Sequence, residues 1–317
     1  MTTPLQDDPV HRIPATGRLR ASRRRWRLAT FAALAIAVVA VGVRSAPQFQ
    51  AHGGQHIARI QVEGTIGHDA ARLAVLRDLE DDDTVPAVVL SINSPGGTTA
   101  GGEELYDAIA RLREKKPVVA VINELGASAA YMTAISADRI LARQTSLVGS
   151  IGVLIQHMNA GKLLDTIGVN LDKVASGPLK AEPDITGPIK PEVRASLEAL
   201  IKDSYDVFVG MVSERRGLTR EKTLSLADGR ILSGRQALDA GLIDQYGGER
   251  EAVAWLEASK GVAADLPVVT VYPRPQNELT GLMRLVGSGA KAILGLGAGD
   301  PMALDGLVSL WQFEPAS

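Results

Sequence analysis

A serine and a lysine 52 residues apart lie in segments whose composition suits acyl-transfer chemistry. In Asn123-Glu124-Leu125-Gly126-Ala127-Ser128-Ala129-Ala130-Tyr131, Ser128 follows a predicted strand and is flanked by small residues, so a substrate carbonyl can come close to its hydroxyl. A serine hydroxyl is a weak nucleophile until a neighbouring base removes its proton. The candidate base is Lys180, in Ser176-Gly177-Pro178-Leu179-Lys180-Ala181-Glu182. A lysine titrates near 10.4 in water and can serve near neutral pH only where apolar surroundings disfavour its charge. It then needs a hydrogen-bond partner, and Ser150, in Ser146-Leu147-Val148-Gly149-Ser150-Ile151-Gly152-Val153, is the candidate. Upstream, Ile92-Asn93-Ser94-Pro95-Gly96-Gly97 forms a glycine turn. An amide of Gly96 or Gly97, with that of Ala129 just after the nucleophile, can donate to a developing oxyanion. Each feature also has a plainer reading: a helix cap or packing residue for Ser128, an ordinary strand-to-helix turn for the glycines, a solvated surface side chain for Lys180. The acidic Glu182 and Asp184 nearby favour the last of these.

Other chemistries fit less well. The chain has no Cys, which removes thiol nucleophiles, disulfides and cysteine metal sites. Of its histidines, His11 falls in a basic tail and His52 and His56 in a linker, leaving His68 and His157 as possible triad bases, neither in a recognisable setting. There is no Gly-x-Ser-x-Gly elbow, zinc-binding His-Glu-x-x-His or Walker loop. Gly287-Ser288-Gly289 resembles a dinucleotide turn only faintly, because no strand precedes it. Aromatics make up 4% of the chain, which argues against base-stacking surfaces and a nucleic-acid partner. Neither a metal nor a cofactor is expected.

The positioning elements follow from hydropathy. The 317 residues, 45% hydrophobic and 22% charged, can bury a large core. Residues 1–27 carry seven Arg and two Asp and read as a basic cytoplasmic tail. Residues 28–43 are uncharged and almost wholly apolar, about 24 Å as a helix against a bilayer core of about 30 Å, and read as a short transmembrane anchor flanked by arginines and Trp26. The arginines put the N-terminus in the cytoplasm and the remaining chain on the extracytoplasmic side of the membrane. A cleaved signal peptide is the competing reading, with the same location. Residues 44–56 read as a linker. From residue 57, strands around Ala58–Val62, Val85–Ile92 and Pro117–Ile122 alternate with helices over 69–80 and 101–115. A long helix is predicted from Pro191 to about Gly217, a short one begins in 230–238, and 242–244 suggests an edge strand. The pattern is that of an α/β domain over 57–264. Residues 265–317 form a C-terminal extension with one predicted amphipathic helix at 282–292.

Five segments in order resemble the signal peptide peptidase A family in its short form: Ile92 to Gly97, Ala127-Ser128, 146–153, 176–180, and Asp228-Gly229-Arg230-Ile231-Leu232-Ser233-Gly234-Arg235-Gln236-Ala237. The resemblance covers 57–256. It implies a Clp protease/crotonase-like fold of stacked β-β-α units, with Ser128 as nucleophile, Lys180 as general base, Ser150 as the lysine's partner, and Gly96, Gly97 and Ala129 around the oxyanion. It further implies membrane-bound, ring-like homo-oligomers that digest signal peptides, the smaller members able to build each site from two neighbouring subunits. Two departures stand out. Ala129-Ala130 replaces the usual Gly-Gly, so a methyl group could narrow the pocket, and Leu179-Lys180-Ala181 replaces a common Tyr-Lys-Asp. The expected activity is a serine endopeptidase acting on apolar peptides. A catalytically inactive membrane scaffold is the alternative, and an acyl-CoA enzyme of the crotonase type is a third.

Overall fold

Ala58, Ile60 and Val62 point to one side of an extended segment and Arg59 and Gln61 to the other, and in the computed structural model this segment is β1 (Ile57–Ile66). The structure describes residues 54–273 and the backbone of a short strand at Val308–Leu310. The anchor expected at 28–43 and the helix expected at 282–292 lie outside the described residues. Among those residues no helix is long and apolar enough to cross a membrane.

β1 pairs in parallel with β2 (Ala87–Thr98), which pairs in parallel with β3 (Val118–Ala127). Helices α1 (Ala70–Glu80) and α2 (Thr99–Lys115) make the crossovers. Each begins on a side-chain cap: Asp69 accepts from the Arg72 N–H at 3.0 Å, and Thr98 from the Gly101 N–H at 3.1 Å. These strands are near-continuous apolar runs because both faces of the sheet are covered. Val88, Leu90, Ile92, Ala120 and Ile122 face the helical layer holding Leu76, Leu105 and Ile109. Ala87, Val89, Val119 and Val121 face Ala252 and Leu256 of α8 (Glu249–Lys260). β8 (Val268–Tyr272) joins the far edge beside β1, carrying the sheet past residue 264.

β3 serves two neighbours in succession. Its first half pairs with β4 (Arg139–Ala142), itself paired with β7 (Gln245–Tyr246), and its last residues pair with β5 (Leu147–Gly149). Buried Ser146 holds the divergence, its hydroxyl donating to the Asn123 carbonyl at 2.6 Å. β5 in turn pairs antiparallel with β6 (Ile231–Ser233). After Ser128 comes α3 (Ala129–Ala134), entirely buried. Its C-terminal side is tied down from α5 (Pro191–Arg216), where the Arg215 guanidinium donates to the Ile135 and Ala137 carbonyls, each at 2.8 Å. The Tyr131 hydroxyl donates to the Leu242 carbonyl at 2.8 Å, and burial pushes its pKa up.

Two elements differ from the sequence expectation. β2 does not stop at the apolar run but continues through Ser94-Pro95-Gly96-Gly97, because Thr65 and Ile66 pair with Gly96 and Gly97 after a register shift in β1. The edge strand expected at 242–244 is displaced to β7. Leu242 and Ile243 are buried in the core, and the Asp244 carboxylate accepts from the Ile140 N–H at 2.7 Å and binds Arg216 at 2.7 Å.

Candidate active site

Strand register assembles most of the site. β2 and β3 stay paired through Ser94 and Gly126, and β3 and β5 through Ala127 and Gly149. The residues that follow these pairs are Gly96 and Gly97, Ser128, and Ser150, so one end of the sheet carries all four. The Ser128 N–H donates to the Gly149 carbonyl at 2.8 Å, and the Ser150 N–H to the Arg230 carbonyl at 2.8 Å. The order of segments read from the sequence thus has a spatial counterpart: the 228–237 segment supplies the strand and the carbonyl that hold Ser150.

Ser128 has φ 59° and ψ −122° and is 1% exposed. Left-handed backbone costs a non-glycine residue on the order of 1–3 kcal/mol and persists only where its surroundings enforce it. The enforcement here is the Gly149 bond before Ser128 and the buried α3 after it. Its side chain does not cap α3, so the capping explanation of this serine does not hold. Ser150 is also left-handed, at φ 50°.

The Ala129 methyl group packs against α2. A Cβ built on Gly102 would lie 2.9 Å from the Ala129 Cβ and 3.2 Å from the Met132 sulfur. Gly102 therefore makes the room that Ala129 requires. The glycine turn is equally close-packed, since a Cβ on Gly97 would fall 1.7 Å from the Ile66 carbonyl oxygen. Gly96 has φ +104°, and its N–H donates to the Ser94 hydroxyl at 3.1 Å. β9 (Val308–Leu310) runs antiparallel beside Gly96, Gly97 and Thr98, on β2 beyond its last pairing with β3.

Lys180 lies on none of these paired strands. It sits in the segment 154–190, whose one helix is α4 (Gly161–Ile167). The lysine is exposed, its N–H donates to the Gly177 carbonyl at 3.2 Å, and among the described residues its ammonium makes no hydrogen bond or ion pair. The nearby carboxylates serve other cations: Lys173 bonds Glu182 at 2.7 Å and Asp184 at 2.5 Å, and Lys190 bonds Glu182 at 2.7 Å. The same arm exposes Met158, Leu163, Ile167, Leu171, Val174 and Leu179, with Val174 fully exposed at 101% and Met158 at 72%. The two histidines are engaged elsewhere, His68 with Glu104 at 2.9 Å and His157 with the Gly187 carbonyl at 3.0 Å.

The ion cluster predicts how the arm responds to acid. Lys173, then Lys190, hold the Glu182 carboxyl below its usual range, and Lys173, then Thr186, do the same for Asp184. A carboxyl with a lowered folded-state pKa contributes order above its unfolded pKa and loses it as pH falls through the folded value. Amide exchange over 171–190, corrected for intrinsic rates, is therefore expected to speed up below about pH 4 while β1 to β3 stay protected. Exchange in the arm that does not change with pH would refute the clamp.

Sequence reasoning singled out neither Ser94 nor Gly102. Ser94 was visible only as part of the glycine turn. Gly102 carried no signal, because its role depends on the approach of α2 to α3.

The model of peptidase family S49 matches residues 110–263, and the Clp protease model matches 55–148. A protease-named protein of Synechocystis is 37% identical over 219 residues, covering 68% of this chain and 79% of its own. Another from Methanocaldococcus jannaschii is 38% identical over 230 residues, covering 71% of each. The chloroplastic serine protease SPPA of Arabidopsis thaliana is 30% identical over 218 residues, covering 67% of this chain and 32% of its own. One match spans the strands that carry the glycine turn, the other runs on from α2 through Ser128 to α8, and the likeness extends over most of the Synechocystis and Methanocaldococcus proteins. The chain belongs to peptidase family S49, of the signal peptide peptidase A type, on a Clp protease-like α/β fold.

Proposed function

We propose that this protein is a membrane-anchored serine endopeptidase that hydrolyses apolar peptides, such as cleaved signal peptides, through an acyl-enzyme on Ser128 with Lys180 as general base. The observation that carries the reading is Ser128 itself: buried, held in a strained conformation, not used as a cap, and set at the sheet end beside the Gly96–Gly97 strip. In this mechanism the neutral Lys180 amine accepts the Ser128 proton as Oγ adds to the scissile carbonyl. The oxyanion accepts from backbone amides of the glycine strip and Ala129. Collapse expels the peptide's leaving amine, which takes the proton from the Lys180 ammonium, and a water deprotonated by the regenerated neutral lysine then hydrolyses the ester, the proton returning to Ser128. The Ser150 hydroxyl holds the lysine amine. Pairing of β9 with Gly96, Gly97 and Thr98 supports an extended peptide lying there, bound through its backbone.

Lys180 reaches the serine with the arm that carries it. The exposed apolar side chains of the segment that carries the lysine are the kind of surface that a second copy covers. A ring-like homo-oligomer in which one subunit's arm completes the next subunit's site accounts for both observations. The 28–43 segment anchors the assembly, with the catalytic domain on the extracytoplasmic side.

The test is an active-site serine phosphonate applied to the full chain in membranes, with the labelled peptide identified by mass spectrometry. Label on Ser128 is expected, together with hydrolysis of an unfolded protein. A folded, oligomeric protein that takes no label would sink the reading and leave the inactive scaffold.

A further inference from the structure

We propose that Ser94 is a positioning residue of the oxyanion turn, and that by engaging the Gly96 amide it leaves the Gly97 amide as the glycine donor to the oxyanion. The proposal rests on the peptidase reading above. Ser94 is fully buried. Its hydroxyl donates to the Gly64 carbonyl at 2.6 Å and accepts the Gly96 N–H at 3.1 Å. A hydroxyl has one proton to give and lone pairs to accept with, so both bonds coexist without competition. They join two irregular points. Gly64, at φ +63°, sits where the β1–β2 register shifts, and Gly96, at φ +104°, is the bend of the turn. One side chain thus fixes the β1 bulge against the glycine strip and sets the angle at which the strip leaves β2.

The Gly96 N–H is therefore already bonded inside the protein. Gly97 follows it, pressed so closely on the Ile66 backbone that the position admits no side chain. Removing the Ser94 hydroxyl would take one bond from the buried Gly64 carbonyl and one from the buried Gly96 amide, and the turn would shift. Peptide binding along the strip would change little, because the strand pairing of Gly96, Gly97 and Thr98 does not use that hydroxyl. The loss would fall on oxyanion stabilisation.

Ser94→Ala and Ser94→Thr in the full chain test this. Ser94→Ala is expected to lower kcat about 10- to 100-fold with KM within about twofold, somewhat less than the loss of an oxyanion donor itself. The labelling rate of Ser128 by a phosphonate should fall in parallel. Ser94→Thr keeps the hydroxyl and should recover most of kcat. Hydrogen exchange of peptides spanning 92–98 should speed up in Ser94→Ala and not in Ser94→Thr. Unchanged kcat or unchanged exchange in Ser94→Ala overturns the proposal, as does a Ser94→Thr variant as impaired as Ser94→Ala. Should Ser94→Ala not fold, Ser94→Cys, slightly larger and a weaker donor, fills the site and carries the same comparison. A wild-type protein without hydrolysis or label refutes the peptidase reading, and the exchange measurement still decides whether Ser94 holds the turn.

Discussion

Ser128→Ala is expected to abolish peptide hydrolysis, with a loss of at least about 10 000-fold in kcat, because no other hydroxyl can take over the covalent step. Thermal stability should shift by less than about 1 kcal/mol, since neither the Gly149 bond nor the burial of α3 depends on the hydroxyl. The variant is also the control that separates nucleophile loss from damage to the fold. Ser150 is the other hydroxyl that strand register brings to this end of the sheet, and it cannot replace Ser128. Ser150 precedes no buried helix and its backbone is bound to Arg230, just before β6, so it is not presented beside the glycine strip in the same way. Hydrolysis that survives Ser128→Ala in a preparation free of contaminating protease would overturn the mechanism.

Lys180→Ala is expected to cost about 100- to 10 000-fold, the range of a general base. Where the lysine comes from gives the sharper result. In the described chain Ser128 is buried at the sheet end, while Lys180 is exposed on an apolar arm and unbonded. If the arm completes a neighbour's site, co-assembling Ser128→Ala with Lys180→Ala restores sites that pair an intact serine with an intact lysine. Random mixing at equal amounts should return about a quarter of the wild-type rate from two inactive parents. Mixtures that stay inactive although mass spectrometry shows mixed oligomers would place serine and lysine in one chain. A Lys180→Ala variant with full activity would exclude this lysine as the base.

Much of this architecture was legible in the sequence because strand and helix periodicities are local. Alternation at 58–63 and the helix from Pro191 to the glycine at 217 needed nothing from elsewhere in the chain. So did the placement of Ser128 between a buried strand and a helix. The extension of β2 through Pro95 and the glycines was not legible, because it depends on pairing with Thr65 and Ile66 some 30 residues earlier. The edge strand near 242 was misplaced for a related reason: Leu242 and Ile243 look like strand residues, yet they fill the core, and Asp244 is committed to Ile140 and Arg216.

The residue types of the site were set by sequence alone: a serine among small neighbours, a glycine pair that tolerates close backbone contact, a lysine in a short loop, and no thiol chemistry at all. Their grouping was decided by tertiary structure. Register across β2, β3 and β5 put the glycines, Ser128 and Ser150 together, turned the Ala129 methyl group towards Gly102, and gave Ser94 its two bonds. The physical reason is one of range. Helix and strand patterns are written over a few neighbouring residues, whereas a strained serine and the amides around it are held by hydrogen bonds between segments that only the folded sheet brings side by side.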